Sequence, residues 1–281
     1  MIITPSIKSL VNLAIMEDYS MGDATTEALI SDNLIGKATI ISDEIGILAG
    51  IDVTKYVFNS VDPLLKITQL SNDSDNLNMN QKIAQIEGKL ASILIAERTA
   101  LNFLRKLSGI STETSKYVKA ISHTKAKIVD TRKTTPGFRS LEKYAVRMGG
   151  GYNHRQNLAD GILIKDNHIK TLAADGLTIG DVIKKAHDRA SHTIKVEIEV
   201  ENLDQLNAVI ESGAEIILLD NMSPDDMTIA VALCKGKIIT EASGGININT
   251  VQKVAESGVD LISVGAITHS APNLDLSLNI A

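Results

Sequence analysis

Apolar and polar positions alternate most clearly in KVEIEVEN, residues 195–202. Val196, Ile198 and Val200 fall on one face of an extended strand there, and Glu197 and Glu199 on the other. Other short apolar runs follow one another beyond residue 110: AKIVD, GILIKD, EIILLDN, GKIITEASGG and LISVGA, with helix-length stretches between them. Strand and helix alternating at this spacing predict a parallel sheet, either doubly wound or closed into a barrel. Residues 247–257 are expected to form one right-handed crossover helix between the last two strands. Before residue 110 the pattern is different. IGKATIIS and LLKITQLS alternate around the glycine-punctuated IGILAGI and the polar loop SNDSDNLNMNQ, which predicts a small α+β unit. In the helical stretch SILIAERTALNFLRKLSG, Leu94, Leu101 and Leu104 mark an apolar stripe, with Glu97 inside it and Arg98 at its margin. A buried structural ion pair is as good a reading of Glu97 as a functional one.

The polar residues at strand ends favour the barrel. Lys165 ends GILIK, Asp220 ends IILLD and Arg132 follows KIVD, while Glu199 shares its face with another acid. In a β/α barrel such positions converge on the mouth at the C-terminal strand ends, where active sites sit. Two glycine turns, EASGGI at 241–246 and SVGAI at 263–267, close the last two apolar strands. Glycine there lets backbone N–H groups approach an anion, and late barrel strands commonly hold phosphate. Neither turn is a GxxxxGK[ST] loop, and MGGGYNHR does not supply GxGxxG.

Composition narrows the function classes. The chain has 281 residues, 44% of them hydrophobic, and a net charge of −6, with 3% aromatics and no Trp. This argues against holding nucleic-acid backbones, anionic membrane or stacked single strands. Cys234 is the only cysteine, so no disulfide framework or cysteine metal site is expected within one chain, and a reducing cytoplasm fits. The opening MIITPSIKSLVNLAIMED is unlike a signal peptide, and no uninterrupted apolar run approaches membrane-spanning length.

Against the acidic whole, residues 132–170 hold eight Lys/Arg and only three acids. Lys143 and Arg147, spaced i and i+4, read as a solvated helix face. Arg132, Lys133, Arg155 and Lys165 stand at strand ends or in turns, and a polyanionic ligand is the natural partner for them. Glu199 and Asp220 amid these cations, beside a phosphate site, suggest Mg²⁺. The six histidines form no HxxxH or HExxH group, so zinc hydrolysis has little support. His154 reads equally as a turn residue or a ligand contact.

Several segments, in order, resemble the quinolinate phosphoribosyltransferases, or carboxylating nicotinate-nucleotide pyrophosphorylases. They are MGDATTEALI, GILAGI, AERTALNFLRKLSGIST, DTRKTTPGFRSLEKYAVRMGGGYNHR, ILIKDNHI, VEIEVENL, IILLDNM, EASGGI and GVDLISVGAITHSAPNLDLSL. The resemblance spans nearly the whole chain. It implies an N-terminal α+β open sandwich over residues 1–109, onto which the tail 270–281 packs back. An incomplete TIM-like α/β barrel would follow over 110–269, and the molecule would be a homodimer. It further implies a pentosyltransferase that moves phosphoribose from phosphoribosyl pyrophosphate to quinolinate with loss of CO₂. The products would be nicotinate mononucleotide and pyrophosphate, on the route to NAD.

Carried over by position, the resemblance places Thr131, Arg132, Lys133, His154, Arg155 and Lys165 around quinolinate and the pyrophosphate. Glu199 and Asp220 match the acids at the ribose and Mg²⁺, and with Lys165 form the implied catalytic set. The backbones of Ser243, Gly244, Gly245, Val264, Gly265 and Ala266 match a 5′-phosphate cradle. Arg98 matches an arginine placed in the partner subunit's site. A related phosphoribosyltransferase associated with molybdenum uptake shares much of the pattern, but KDNH at 165–168 favours quinolinate. A phosphate-sensing barrel, or a sugar-phosphate isomerase or lyase using Lys165 as base or Schiff-base amine, stays open on the residues alone.

Overall fold

The computed structural model describes residues 1–31 and 33–280. In chain order the elements are α1 (Pro5–Tyr19), α2 (Ala24–Leu29), β1 (Ile35–Ser42), β2 (Gly46–Ile47), α3 (Ile51–Val61), β3 (Lys66–Gln69), β4 (Asn76–Leu77), β5 (Lys82–Lys89) and α4 (Leu90–Ala120). There follow β6 (Lys127–Val129), α5 (Arg139–Met148), β7 (Ile162–Ile164), α6 (Asp166–Ala174), α7 (Ile179–Arg189), β8 (Val196–Val200), α8 (Leu203–Ile210) and β9 (Ile216–Asp220). The last are α9 (Pro224–Cys234), β10 (Ile239–Ser243), α10 (Val251–Glu256), β11 (Leu261–Ser263), α11 (Ala266–His269) and β12 (Leu276–Ile280). They form two compact units. One holds Met1–Ser115, Thr134–Gly150 and Ile267–Ala281, and the other Lys116–Lys133 and Gly151–Ala266.

The first unit is built on an antiparallel sheet of order β12-β1-β5-β3, in which the C-terminal strand pairs with β1 from Ala38↔Ile280 to Ser42↔Leu276. Ala38, Ile40 and Ser42 alternate into the core on β1, and Ile83, Ala84 and Ile86 are buried on β5. The buried ridge of α4 is Ile93, Ala96, Ala100, Leu104 and Leu107, while Leu94 is only half-buried. The expected stripe was therefore one position out of phase at its start, where Ile93 rather than Leu94 is buried, while Leu101 and Leu104 are buried as expected.

The polar loop after β3 has a structural task. Asp73 Oδ1 accepts the amides of Gly50 (2.9 Å) and Ile51 (3.1 Å) where α3 begins, and its other oxygen accepts the Tyr144 hydroxyl. Burial first, and then this carboxylate, push the Tyr144 phenol well above its ordinary value. Asp73→Ala removes the acceptor of two helix-start amides and is expected to cost about 1–2 kcal/mol. A lower urea midpoint at unchanged slope would show it, and an unmoved midpoint would contradict it.

The second unit carries a six-stranded parallel sheet of order β6-β11-β10-β9-β8-β7. Each strand from β7 to β11 lies beside its successor, and β6 returns to pair with β11 from Leu261↔Lys127 to Ser263↔Val129. A doubly wound sheet reverses its order partway; this order runs in one sense, as a barrel does. Among the described residues β6 and β7 do not pair, and β6 makes only a single bridge, Val129↔Tyr152, to the segment before β7, so the barrel is incomplete. Val196, Ile198, Val200, Ile217, Leu219, Ala242 and Ile262 are buried on the outward face, and helices α7 to α10 bury apolar residues of their own, such as Ile183, Leu206, Met227 and Val251. The helix before β11 is shorter than expected: α10 covers 251–256, while 247–250 form a turn in which Thr250 N–H donates to Asn247 O.

Candidate active site

The inward positions of the parallel strands follow from their period of two. They are Leu163 and then Lys165 beyond β7, Glu197 and Glu199 on β8, Leu218 and Asp220 on β9, Glu241 and Ser243 on β10, and Ser263 on β11. The outer members line a cavity of about 570 Å³ at the C-terminal strand ends, together with Thr131, Arg132 and Lys133 after β6 and His154 and Arg155 before β7. The cations expected at a mouth and the two expected acids thus share one cavity.

Lys165 Nζ lies 2.6 Å from Glu199 Oε2, joining the ends of adjacent strands β7 and β8. The Glu199 side chain is 9% exposed and that of Lys165 47%, so the pair stands at the cavity rim with its carboxylate turned in. Asp220 accepts a 2.8 Å hydrogen bond from Asn221 Nδ2. Thr131 Oγ1 accepts the amide of Lys133 at 3.0 Å, which turns the chain just after β6.

The glycine turn after β10 needs glycine for two reasons. Gly244 (φ +91°) and Gly245 (φ +59°) both occupy the left-handed region. A Cβ on Gly244 would stand 2.2 Å from Asn221 Oδ1, whereas one on Gly245 would meet nothing within 4 Å. Gly244 is therefore fixed by its neighbour, and Gly245 faces open space, as a cradle for an anion requires. In the other half of the expected cradle, the Val264 N–H is already donated to Val129 O at 3.0 Å, which stitches β11 to β6. Gly265 and Ala266 follow it at the start of α11.

The segment bearing His154 and Arg155 is held by acids that sequence reasoning did not select. Asp130, fully buried, accepts the His154 amide at 2.8 Å and Asn153 Nδ2 at 2.6 Å. His154 Nδ1 accepts the Arg155 amide at 2.7 Å, and Nε2 lies 3.3 Å from Glu197 Oε2 and 3.5 Å from Glu241 Oε1. Arg155 Nη1 donates to Gly161 O at 3.2 Å. Burial, and then the neighbouring Arg132, lower the Arg155 guanidinium, with Glu197 opposing. Glu241 is pushed up to about 7 by burial and then by the Glu197 charge, with His154 and Ser263 opposing. One signal could have found Glu241: it stands two residues before Ser243 on the same strand and so shares its inward face.

That raised value bears on stability. The unfolded carboxyl, near 4.5, gives up its proton well before the folded one, near 7. This group's stabilisation is complete below about pH 4.5 and is lost as pH rises to about 7, a span worth roughly 3 kcal/mol. Glu241→Gln has no proton to lose there and is expected to flatten that fall. Urea titrations at pH 5 and pH 8 measure it; parallel curves for the two proteins would contradict it.

Arg98 belongs to the first unit. It is exposed on α4 in the first unit, where it lines a cavity of about 940 Å³ with Leu13 and Asp18 of α1, Asn102 and Lys106 of α4, and Phe138. Phe138 stacks on Phe103 with centroids 5.4 Å apart. Glu97 is half-buried. Lys143, read as solvated, is instead buried at 2% exposure, because α5 turns that flank inward beside Glu142, Ala145 and Val146; Arg147 is exposed as expected.

An incomplete β/α barrel whose strand-end mouth gathers cations, two acids and an open glycine turn defines an enzyme for anionic, phosphorylated substrates. The sequence model described as the quinolinate phosphoribosyl transferase C-terminal domain matches residues 110–279, and that of the N-terminal domain matches 23–108. The chain therefore belongs to the quinolinate phosphoribosyltransferase family. It is 41% identical over 274 residues to a probable carboxylating nicotinate-nucleotide pyrophosphorylase of Bacillus subtilis, covering 98% of this chain and 93% of that one. It is 38% identical over 293 residues to a mitochondrial decarboxylating quinolinate phosphoribosyltransferase of Nicotiana glauca, covering 99% of this chain and 83% of that one. The solved nicotinate-nucleotide pyrophosphorylase of Francisella tularensis superposes with a TM-score of 0.92 at 43% identity, covering 99% and 98% of the two chains. NadC of Streptococcus pyogenes does so with a TM-score of 0.95 at 38% identity, covering 100% and 99%. Among the described residues no helix is long and apolar enough to cross a membrane.

Proposed function

We infer that this chain transfers phosphoribose from phosphoribosyl pyrophosphate to quinolinate and releases pyrophosphate, CO₂ and nicotinate mononucleotide, as a pentosyltransferase of NAD synthesis. The observation that carries this is one cavity holding Arg132, Lys133, Arg155 and Lys165 opposite Glu199, Asp220 and the turn at Gly244 and Gly245. Quinolinate is a dianion, and its ring nitrogen must reach the anomeric carbon as pyrophosphate departs. Most of the catalysis is then positioning and charge stabilisation.

The arginines suit carboxylate and phosphate with their forked donors. Lys165, paired with Glu199 at 2.6 Å, adds a cation at the rim and fixes that carboxylate. Glu199 and Asp220 supply negative charge where a ribosyl centre gains positive character, and the turn at Ser243 to Gly245 takes the 5′-phosphate, with Gly265 and Ala266 closing the cradle from β11. The same two carboxylates, hard oxygen donors beside a phosphate-bearing substrate, fit Mg²⁺, which when bound would neutralise charge on the departing pyrophosphate. After transfer, the quaternised ring nitrogen is the electron sink for loss of the neighbouring carboxylate.

The active form is a homodimer in this reading, with Arg98 acting in the partner's site. Its support is an exposed arginine in a wide cavity beside Leu13 of α1, itself 64% exposed. A cytoplasmic location fits the single buried Cys234. Mixing the protein with quinolinate, phosphoribosyl pyrophosphate and Mg²⁺ and measuring CO₂ and nicotinate mononucleotide tests the activity. No CO₂ above the no-enzyme control would refute it.

A further inference from the structure

Below the mouth, a second cavity of about 330 Å³ opens among the N-terminal strand ends, beside Gly161, Ile162, Lys195 and Ile216. His154, Arg155 and Glu241 line both cavities, so they form the wall between them. In that wall one nitrogen of His154 and one oxygen each of Glu197 and Glu241 lie within 4.8 Å of one another. Two of the oxygens here, Oε1 of Glu197 and the Oε1 of Glu241 that faces His154 at 3.5 Å, are buried and accept no hydrogen bond among the described residues.

Such a triad could hold a divalent cation or a proton, and the histidine decides between them. A metal would need the lone pair of Nε2, which requires the ring hydrogen on Nδ1. Nδ1 accepts the Arg155 amide at 2.7 Å, so Nε2 carries the hydrogen and lies 3.3 Å from Glu197 and 3.5 Å from Glu241. Two buried carboxylates beside one N–H cannot both stay ionised at little cost; one of them retains a proton. Glu241 is the more deeply buried, at 1% exposure against 6% for Glu197, and it alone of the two reaches the mouth.

The reaction inferred for the mouth leaves one requirement unassigned. When the C2–carboxylate bond breaks and CO₂ departs, the electron pair stays on C2 beside the quaternised nitrogen, and that carbon must gain a proton. We propose that Glu241 delivers this proton from its carboxylic acid and is reprotonated by water in the lower cavity. The inference rests on the phosphoribosyl-transfer reading of the mouth. The groups facing Glu241 suit the role: Glu197 from β8 and Asp130 after β6 keep its proton on, His154 and the Ser263 hydroxyl moderate that pull, and the uncharged Leu218 is its register partner on β9. Arg155 shares the wall, and Lys165 and Glu199 lie further out at the rim. Burial and the Glu197 charge keep the acid form populated near neutral pH.

Single-turnover measurement of pyrophosphate and CO₂ from quinolinate and phosphoribosyl pyrophosphate separates the two steps. In Glu241→Gln, pyrophosphate release is expected to stay near the wild-type rate, while CO₂ release slows by about 10²-fold and the undecarboxylated mononucleotide accumulates. A role confined to structure would slow both products together, and that result overturns the assignment. If the variant fails to fold, the wild type decides: the CO₂ step is expected to slow as pH rises above neutrality while the pyrophosphate step does not. The same pH dependence for both steps overturns the proposal. A wild type that turns over normally but fails these tests leaves the transferase reading intact, whereas one that releases no pyrophosphate overturns both.

Discussion

Lys165→Ala is expected to lower kcat by about 10²–10³-fold, the scale for removing one charge-stabilising donor. The same change is expected to leave the urea midpoint almost unmoved. The contrast follows from where the side chain stands. Lys165 is 47% exposed and packs in no core, so its loss creates no cavity. Its backbone amide, which donates to His168 Nδ1 at 2.9 Å and so fixes the start of α6, survives the substitution. What disappears is the ammonium 2.6 Å from Glu199, and with it both a cation for the substrate and the restraint on that carboxylate. Lys165→Arg keeps the charge but not the compact geometry and should recover only part of the rate. A loss of melting temperature in proportion to the loss of activity would show that Lys165 serves the fold instead.

This pair also marks how far the sequence could be read. The barrel was legible because strand period and strand-end chemistry coincide: on β8 the valines and isoleucine pack outward, and the acids on the other face had to line the interior. The cations after β6 and β7 were legible for the same reason, as charges standing at the ends of apolar strands. What a linear reading could not supply was pairing across strands. Nothing in GILIKD announces that Lys165 meets Glu199 rather than the ligand alone, since that depends on the register Leu163↔Glu197 between β7 and β8. Glu241 was hidden by its motif: EASGG draws attention to its glycines, and a glutamate there resembles any strand acid until β8 and the His154 turn close around it. Lys143 was misjudged because i, i+4 spacing on α5 defines a face without saying which side that face meets. Val264 illustrates the opposite limit, a backbone group assigned to a ligand that the sheet itself had already engaged.

Mixing Arg98→Ala chains with Arg132→Ala chains is expected to restore activity that neither has alone. Arg132 stands at the mouth of the barrel unit, and Arg98 is exposed on α4 of the other unit. If the dimer is two-fold and Arg98 serves the partner's site, each homodimer lacks one arginine at both sites. In a mixed dimer the two missing arginines fall at the same site, which leaves the second site complete. Random reassortment of equal amounts puts about half the molecules in mixed dimers with one good site of two, so about a quarter of wild-type activity is expected. The size of the recovery is diagnostic, because a defect in folding or in dimer formation would not be cured by a chain carrying a different defect. Native mass spectrometry of the mixture reports whether mixed dimers have formed. Mixed dimers present in the expected proportion and yet inactive would mean that every site lacks an arginine, which places Arg98 in the site of its own chain.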